Sequence, residues 1–334
     1  MKAHWTMRIC LLGDISGNLD EGMKNTTYYL YSELSKSYEV EVVHPRKTLL
    51  PSVVLKFKPD ILHYIHGSSI RSFLITRYLA SIFPRSKSIV SATHPQFSKW
   101  EKLALGFFKP DLALVQSKSM EDFFSRKGFK TAWLSGGVDV DKFSPAPKAR
   151  RLELRRKYGL EEDKLIVLHV GHVRPNRNLE LLIPIQQQGE IQVVIAGSTT
   201  VRADERVAQQ LKDAGCVVWV KYFPNIEELF QLADCYVFPV MSDDGAVQVP
   251  LTVLEAAACN LPVVTTPFGG LPDLVGEREG LFYVWRPEEM LSAVERCRDC
   301  RVEPRRWAVE FSWEKIGERL TAIYRDLIEE KENA

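Results

Sequence analysis

At 334 residues, 45% hydrophobic and 26% charged, the chain has the balance of a globular protein with room for two cores. No apolar run approaches the roughly 18 to 20 residues that span a bilayer, and the opening MKAHWTMRICLLGD has no signal-peptide core, so a cytoplasmic location is expected. Net charge is only +1, but residues 1–150 hold 22 Lys and Arg against 13 Asp and Glu, whereas the remainder hold 22 against 30. A basic first half (+9) and an acidic second half (−8) suggest different partners for each, with no nucleic acid among them.

In chain order, runs rich in β-branched residues alternate with helical patterns, the signature of parallel sheets covered by helices. The first half offers six strands, MRICLLGD, YEVEVVHP, DILHYIHG, SIVSATHP, DLALVQS and TAWLSGG, with helical spacers such as Thr26 to Lys36 and Ser119 to Gly128. SPAPKARRLELRRKYGLEEDK then interrupts the rhythm and reads as a charged linker with a short solvated helix. Six further strands follow: KLIVLHVG, IQVVIAGS, CVVWVKYFP, DCYVFPV, LPVVTT and GLFYV, before a long amphipathic helix from Ser312. The expected division is residues 1–145, 146–311 and a terminal helix, 312–334, packing back toward the first domain. The six cysteines, Cys10, Cys216, Cys235, Cys259, Cys297 and Cys300, fall mostly in apolar runs and read as buried thiols. The one Cys-x-x-Cys pair, Cys297 and Cys300, has the spacing of neighbours on a helix.

In doubly wound sheets, ligands bind at the carboxyl ends of the strands, which directs attention to the loops there. After the first strand, GDISGNLDEGMKN places Gly13, Gly17 and Gly22 ahead of a helix whose start favours anions. The loop lacks G-x-G-x-x-G spacing, which argues against a dinucleotide-dependent dehydrogenase. In the second half, VGHVRPNRNLELL brings His172, Arg174 and Arg177 to a helix start, where cations oppose the helix dipole unless an anion lies between them. Further on, TTPFGGLPDLV sets Gly269 and Gly270 where backbone amides can approach a ligand. Glu255 is a lone carboxylate between Leu254 and Ala256 on an apolar run, which must reach solvent or bind something.

Taken in register, the loop after the first strand, GGVDVDKFSP, VGHVRPNRNL, IEELFQLADCYVFPV, PLTVLEAAACNLPVVTTPFGGLPDLV and SWEKIGERLTAIY resemble the retaining glycosyltransferases of family 4 over nearly the whole chain. The resemblance implies the α/β GT-B fold, two Rossmann-like doubly wound parallel-sheet domains facing across a cleft. It also implies retaining transfer of a hexose-type sugar from a nucleotide diphosphate sugar to a glycan or lipid-linked acceptor, with the donor mainly on the second domain and no separate cofactor.

Carried over position by position, the family's Arg and Lys on the donor phosphates fall on His172 and Arg177, and Arg174 is placed to add charge. Glu255 matches the family's ribose-binding glutamate, but the glutamate eight positions earlier is replaced by Val247, near Asp243 and Asp244. His94, in SATHPQF, stands where the family often has a histidine near the reacting sugar; His66 is a second candidate and His63 falls inside its strand. Asp273 replaces a common family glutamate.

Catalysis is therefore expected from Arg177, His94 and His172, with Gly17, Gly22, Arg174, Glu255, Gly269 and Gly270 around the donor. The departing diphosphate would itself take the acceptor proton, so no metal is expected. Asp139-Val-Asp141 spells the Asp-x-Asp of metal-dependent transferases but sits at the domain junction, where a turn is expected. The basic first domain, with FSKWEKLALGFFK presenting Trp100, Leu103, Phe107 and Phe108 beside Lys99, Lys102 and Lys109, suggests peripheral contact with the cytoplasmic membrane face, or else a packed helix. The departures at 172 and 247 leave open a catalytically idle GT-B protein that binds a nucleotide or a partner.

Overall fold

The computed structural model describes residues 7–17, 21–47, 52–65, 69–93, 97–242 and 244–332. The chain divides into two compact units, Met1–Gly136 with Trp313–Ala334, and Gly137–Ser312. The first crossing, expected at 145, falls between Gly136 and Gly137. Val138 there pairs with Ser312 in an isolated bridge and donates its N–H to the Phe311 carbonyl at 2.9 Å, so the two crossings are neighbours in space.

The first unit holds β1 (Arg8–Leu12), β2 (Glu39–Val43), β3 (Ile61–Tyr64), β4 (Lys87–Ser91), β5 (Leu112–Val115) and β6 (Thr131–Trp133). The second holds β7 (Leu165–Gly171), β8 (Ile191–Gly197), β9 (Val217–Val220), β10 (Cys235–Phe238), β11 (Val263–Thr265) and β12 (Leu281–Tyr283). Each of the twelve apolar runs forms one strand. All pairings within the two sheets are parallel, in the orders β2-β1-β3-β4-β5-β6 and β12-β11-β10-β7-β8-β9. Helices cover both faces of such sheets, which is why β3, β5 and β10 are buried throughout without alternation. In each unit the order reverses once, between β1 and β3 and between β7 and β10, the crevice where open sheets receive ligands.

The terminal helix, Trp313–Glu332, belongs to the first unit. Ile316, Leu320, Tyr324 and Leu327 form its buried stripe, and Trp313 stacks on Tyr29 with ring centroids 5.2 Å apart. Tyr324 places its hydroxyl 2.6 Å from His63 Nδ1, while His63 Nε2 lies 2.8 Å from Ser91 Oγ. His63 is thus a fully buried strand histidine that ties two strands to the helix.

The charged stretch after the first crossing is not a solvated linker. Its helix, Lys148–Tyr158, buries Leu154 and Arg155, and Arg155 Nη2 donates to Asp234 Oδ2 at 2.6 Å. Arg155 also donates to the carbonyls of Leu232 and Glu162. Arg150, Lys157 and Tyr158 converge on Glu228 of the helix Glu227–Leu232. Low hydropathy concealed an ion-pair network in which Arg155 and Glu228 are buried while Arg150 and Lys157 reach solvent, because charges are acceptable inside when each finds its partner.

Candidate functional site

The reversal between β7 and β10 organises the second unit's site. Strand β7 ends at Gly171, and the chain passes through His172, Val173 and the exposed Arg174 into a single 3-10 turn, Pro175–Arg177. It leaves through Asn178 at φ 54°, a left-handed conformation that asparagine tolerates better than most residues. The loop after β10 is clipped to this turn. Asn178 Oδ1 accepts the N–H of Met241 at 3.0 Å, and Asn176 Nδ2 donates to the Asp244 carbonyl at 3.2 Å. A Cβ at Gly245 would sit 2.7 Å from the Asn176 carbonyl oxygen, so glycine is required for the approach.

Arg177 is turned inward, 9% exposed, and burial pushes its pKa down to about 10, with Tyr236 opposing the shift. No carboxylate among the described residues lies within ion-pair distance of it. Its Nη1 lies 3.2 Å from where a Cβ at Gly171 would stand, and His169 Nε2 lies 3.1 Å from the same point. His169 is fully buried and stacked between Tyr236 and Phe238. Its Nδ1 donates to the Val237 carbonyl at 2.9 Å, which leaves Nε2 as a buried lone pair with no hydrogen-bond partner among the described residues. Burial holds this imidazole at a pKa of about 4, with the charges of Arg177 and His172 adding to the effect, so it is neutral at pH 7. The end of β7 and the turn after it thus present an acceptor nitrogen and a guanidinium around a spot kept open by glycine.

Glu255 is the fifth residue of the helix Leu251–Ala258, one turn in from the start, and is half-buried. Burial raises its pKa to about 7, and the charge of Lys142 opposes the rise. Among the described residues nothing donates a hydrogen bond to its carboxylate. Tyr236 links the two charged groups, because its buried ring feels both Glu255 and Arg177. Its hydroxyl lies 2.7 Å from Thr252 Oγ1, on the same helix as Glu255, and 3.3 Å from the Val170 carbonyl next to Gly171.

The paired glycines do different work from that expected. Gly269 has φ 54°, and a Cβ there would meet the Gln248 carbonyl oxygen at 2.4 Å. The Gly270 N–H, expected to approach the donor, already donates to that same oxygen at 2.8 Å. The pair therefore pins the backbone ahead of the helix Leu251–Ala258, and so orients Glu255, rather than offering the Gly270 amide to a ligand. Val247 is half-buried on this pinned segment, Asp244 is exposed with its carboxylate bonded to Ser242, and Asp273 is exposed.

In the first unit, Gly17 has φ 74°, and none of the described residues would meet a Cβ there. Gly22 opens the helix Gly22–Leu34, whose Glu21 cap makes no side-chain bond to the helix start. Asp14 holds the loop: its Oδ1 accepts from the N–H and hydroxyl of Ser16, and Lys24 stands 3.6 Å away. Burial would raise the Asp14 pKa, but these bonds and charges hold it below the usual value. His94, His66 and Asp243 lie outside the described residues. Asp139 accepts the N–H groups of Asp141 and Lys142 at 3.2 and 3.0 Å, the work of a turn residue. His169 and Tyr236 were not singled out from sequence; the available signal was a histidine two residues before the glycine that ends an otherwise apolar strand.

This geometry can be set beside known proteins. Residues 150–308 match the family model of the glycosyl transferases group 1. That stretch contains the loop after β7, the pinned segment and Glu255. Over 238 residues the chain is 27% identical to a D-inositol 3-phosphate glycosyltransferase of Geodermatophilus obscurus, covering 64% of this chain and 51% of that protein. The chain thus spans about half the length of that relative. It is 26% identical over 322 residues to a GDP-mannose-dependent alpha-(1-6)-phosphatidylinositol monomannoside mannosyltransferase of Mycolicibacterium smegmatis, covering 84% of this chain and 83% of that one. A sucrose-phosphate synthase of Thermosynechococcus elongatus superposes with a TM-score of 0.81 at 17% identity, covering 96% and 99% of the two chains, and so shares the GT-B fold.

Proposed function

We propose that the protein is a retaining glycosyltransferase that moves a hexose-type sugar from a nucleotide diphosphate sugar to a glycan or lipid-linked acceptor, without a metal ion. The observation that carries this reading is Arg177, a buried guanidinium with no carboxylate partner among the described residues, at the sheet's reversal point. A buried cation left uncompensated costs several kcal/mol. A diphosphate would supply the missing anion, and arginine suits it through paired hydrogen bonds. Glu255 would accept hydrogen bonds from the ribose, for which it has unused lone pairs. The relative named as a GDP-mannose-dependent mannosyltransferase supports a nucleotide-sugar donor, and the one named as an inositol 3-phosphate glycosyltransferase supports glycosyl transfer.

In the proposed reaction the acceptor hydroxyl adds to the anomeric carbon on the face the diphosphate leaves, and the departing phosphate oxygen takes its proton. Arg177, assisted by His172 and Arg174, stabilises the charge that grows on the leaving phosphate. Purified protein screened with UDP- and GDP-sugars should hydrolyse or transfer at least one. Arg177→Ala should lower turnover by about 100-fold or more while the fold persists; unchanged turnover would reject the assignment.

A second reading, a catalytically idle GT-B protein that binds a nucleotide, draws on Val247. This half-buried apolar side chain stands eight residues ahead of Glu255, where the family resemblance calls for a carboxylate. Nucleotide binding by calorimetry with no turnover of any sugar in the screen would select it.

A further inference from the structure

The segment from Phe97 to Lys109 in the first unit turns its apolar residues two ways. Phe97 stacks on Phe123 with ring centroids 6.0 Å apart and meets Phe73 at 5.9 Å, and Leu105 is fully buried. Trp100, Leu103 and Phe107 face outward, 81%, 71% and 82% exposed. Trp100 and Leu103 stand on the helix Lys99–Ala104 and Phe107 in the 3-10 turn Leu105–Phe107 that continues it, and their spacing of i, i+3 and i+7 puts them on one side of this helical segment. Single exposed hydrophobic residues are ordinary, but three large ones on one face mark an interaction surface. The face is a built one. Ser98 and Glu101 cap the helix Lys99–Ala104 reciprocally, the Ser98 N–H donating to Glu101 Oε2 at 2.7 Å.

Cations surround it. Lys99, Lys102 and Lys109 are exposed on the segment, whose single acid is Glu101. The helix Ile70–Ile82, joined through the Phe73–Phe97 contact, exposes Arg71 and Arg77 beside Leu74 and Tyr78 and contains no acid. A second copy of the chain is a poor occupant, because a self-complementary contact would bring like charges together. An anionic bilayer answers both halves of the surface, offering phosphates to the cations and an acyl boundary to the aromatic rings.

We infer that this face docks the first unit on an anionic phospholipid surface, with Trp100, Leu103 and Phe107 in the headgroup layer and the surrounding lysines and arginines on lipid phosphates. The inference stands apart from the donor site, which lies on the other unit.

Co-sedimentation with phosphatidylglycerol/phosphatidylcholine vesicles, against pure phosphatidylcholine, tests it. The wild-type protein should bind the anionic vesicles at low salt and release as salt rises. The triple variant Trp100→Ala, Leu103→Ala, Phe107→Ala should lose about tenfold or more in partitioning with an unchanged melting temperature. Lys99→Glu with Lys102→Glu should weaken low-salt binding, and Arg177→Ala should leave vesicle binding intact, which keeps the outcome separate from the donor reading. Absence of binding at low salt, or equal binding by the triple variant, overturns the inference. So does self-association in sedimentation velocity that the triple variant abolishes while vesicles are ignored.

Discussion

The pH dependence of nucleotide binding is the sharpest consequence of the site. Glu255 is held at a pKa of about 7 by burial, above the usual 4.5 of a glutamate. Ribose hydroxyls can donate to the carboxylate but gain little from the protonated acid, so nucleotide binding should select the ionised form. With a pKa of about 7, roughly one-tenth of the sites are ionised at pH 6 and roughly nine-tenths at pH 8. The dissociation constant of UDP or GDP should therefore fall by about tenfold across that interval, beyond any change from the nucleotide's own phosphate titration. Glu255→Gln supplies the baseline, since it retains the phosphate titration and removes the carboxylate's. Calorimetry in buffers of different ionisation enthalpy should show about half a proton released per nucleotide at pH 7 from wild type and not from the variant. A wild-type pH slope identical to that of Glu255→Gln would refute the reasoning. The same shift governs the free protein: the group binds more protons folded than unfolded between pH 4.5 and about 7, so its contribution to stability is present below pH 4.5 and is lost as pH rises through 7.

Other outcomes follow from named contacts. Arg177→Met should abolish turnover yet leave the nucleotide-free protein as stable or more stable, by up to about 4 kcal/mol, because it removes an uncompensated buried charge; a lower melting temperature would count against that view. Tyr324→Phe should cost about 1 to 3 kcal/mol by leaving His63 Nδ1 unpaired, measured by urea unfolding. His63, pushed down to about 3 by burial from a usual 6.5, is neutral when folded, so its share of stability should be lost as pH falls from 6.5 toward 3. Gly269→Ala combines φ 54° with a 2.4 Å clash against the Gln248 carbonyl and should destabilise by about 1 to 3 kcal/mol, with nucleotide affinity falling alongside.

The strands were legible because parallel sheets buried on both faces require continuous β-branched runs, and each such run became a strand. The packing of the helix Lys148–Tyr158 is invisible to hydropathy, which cannot show that Arg155 and Asp234, 79 residues apart along the chain, will meet. Arg177 and Glu255 were visible as charges in unlikely surroundings. His169 was not, since a histidine inside a strand looks the same whether both its nitrogens are satisfied, as in His63, or one is left open. The Gly-Gly pair signalled close approach correctly, but its partner is the chain's own Gln248 backbone.

The neighbouring crossings at Val138 and Ser312 make the second unit an insertion within the first. During synthesis Gly137–Ser312 is complete before the helix that carries Tyr324 emerges, so the seam awaiting that helix stays uncovered while the whole insertion is made. The uninterrupted unit has all its segments in one stretch and can close early. The first unit must hold an unfinished core until the last of its pieces arrives, which makes it the half for which folding assistance matters most and the half where a truncation beyond Ser312 would be felt.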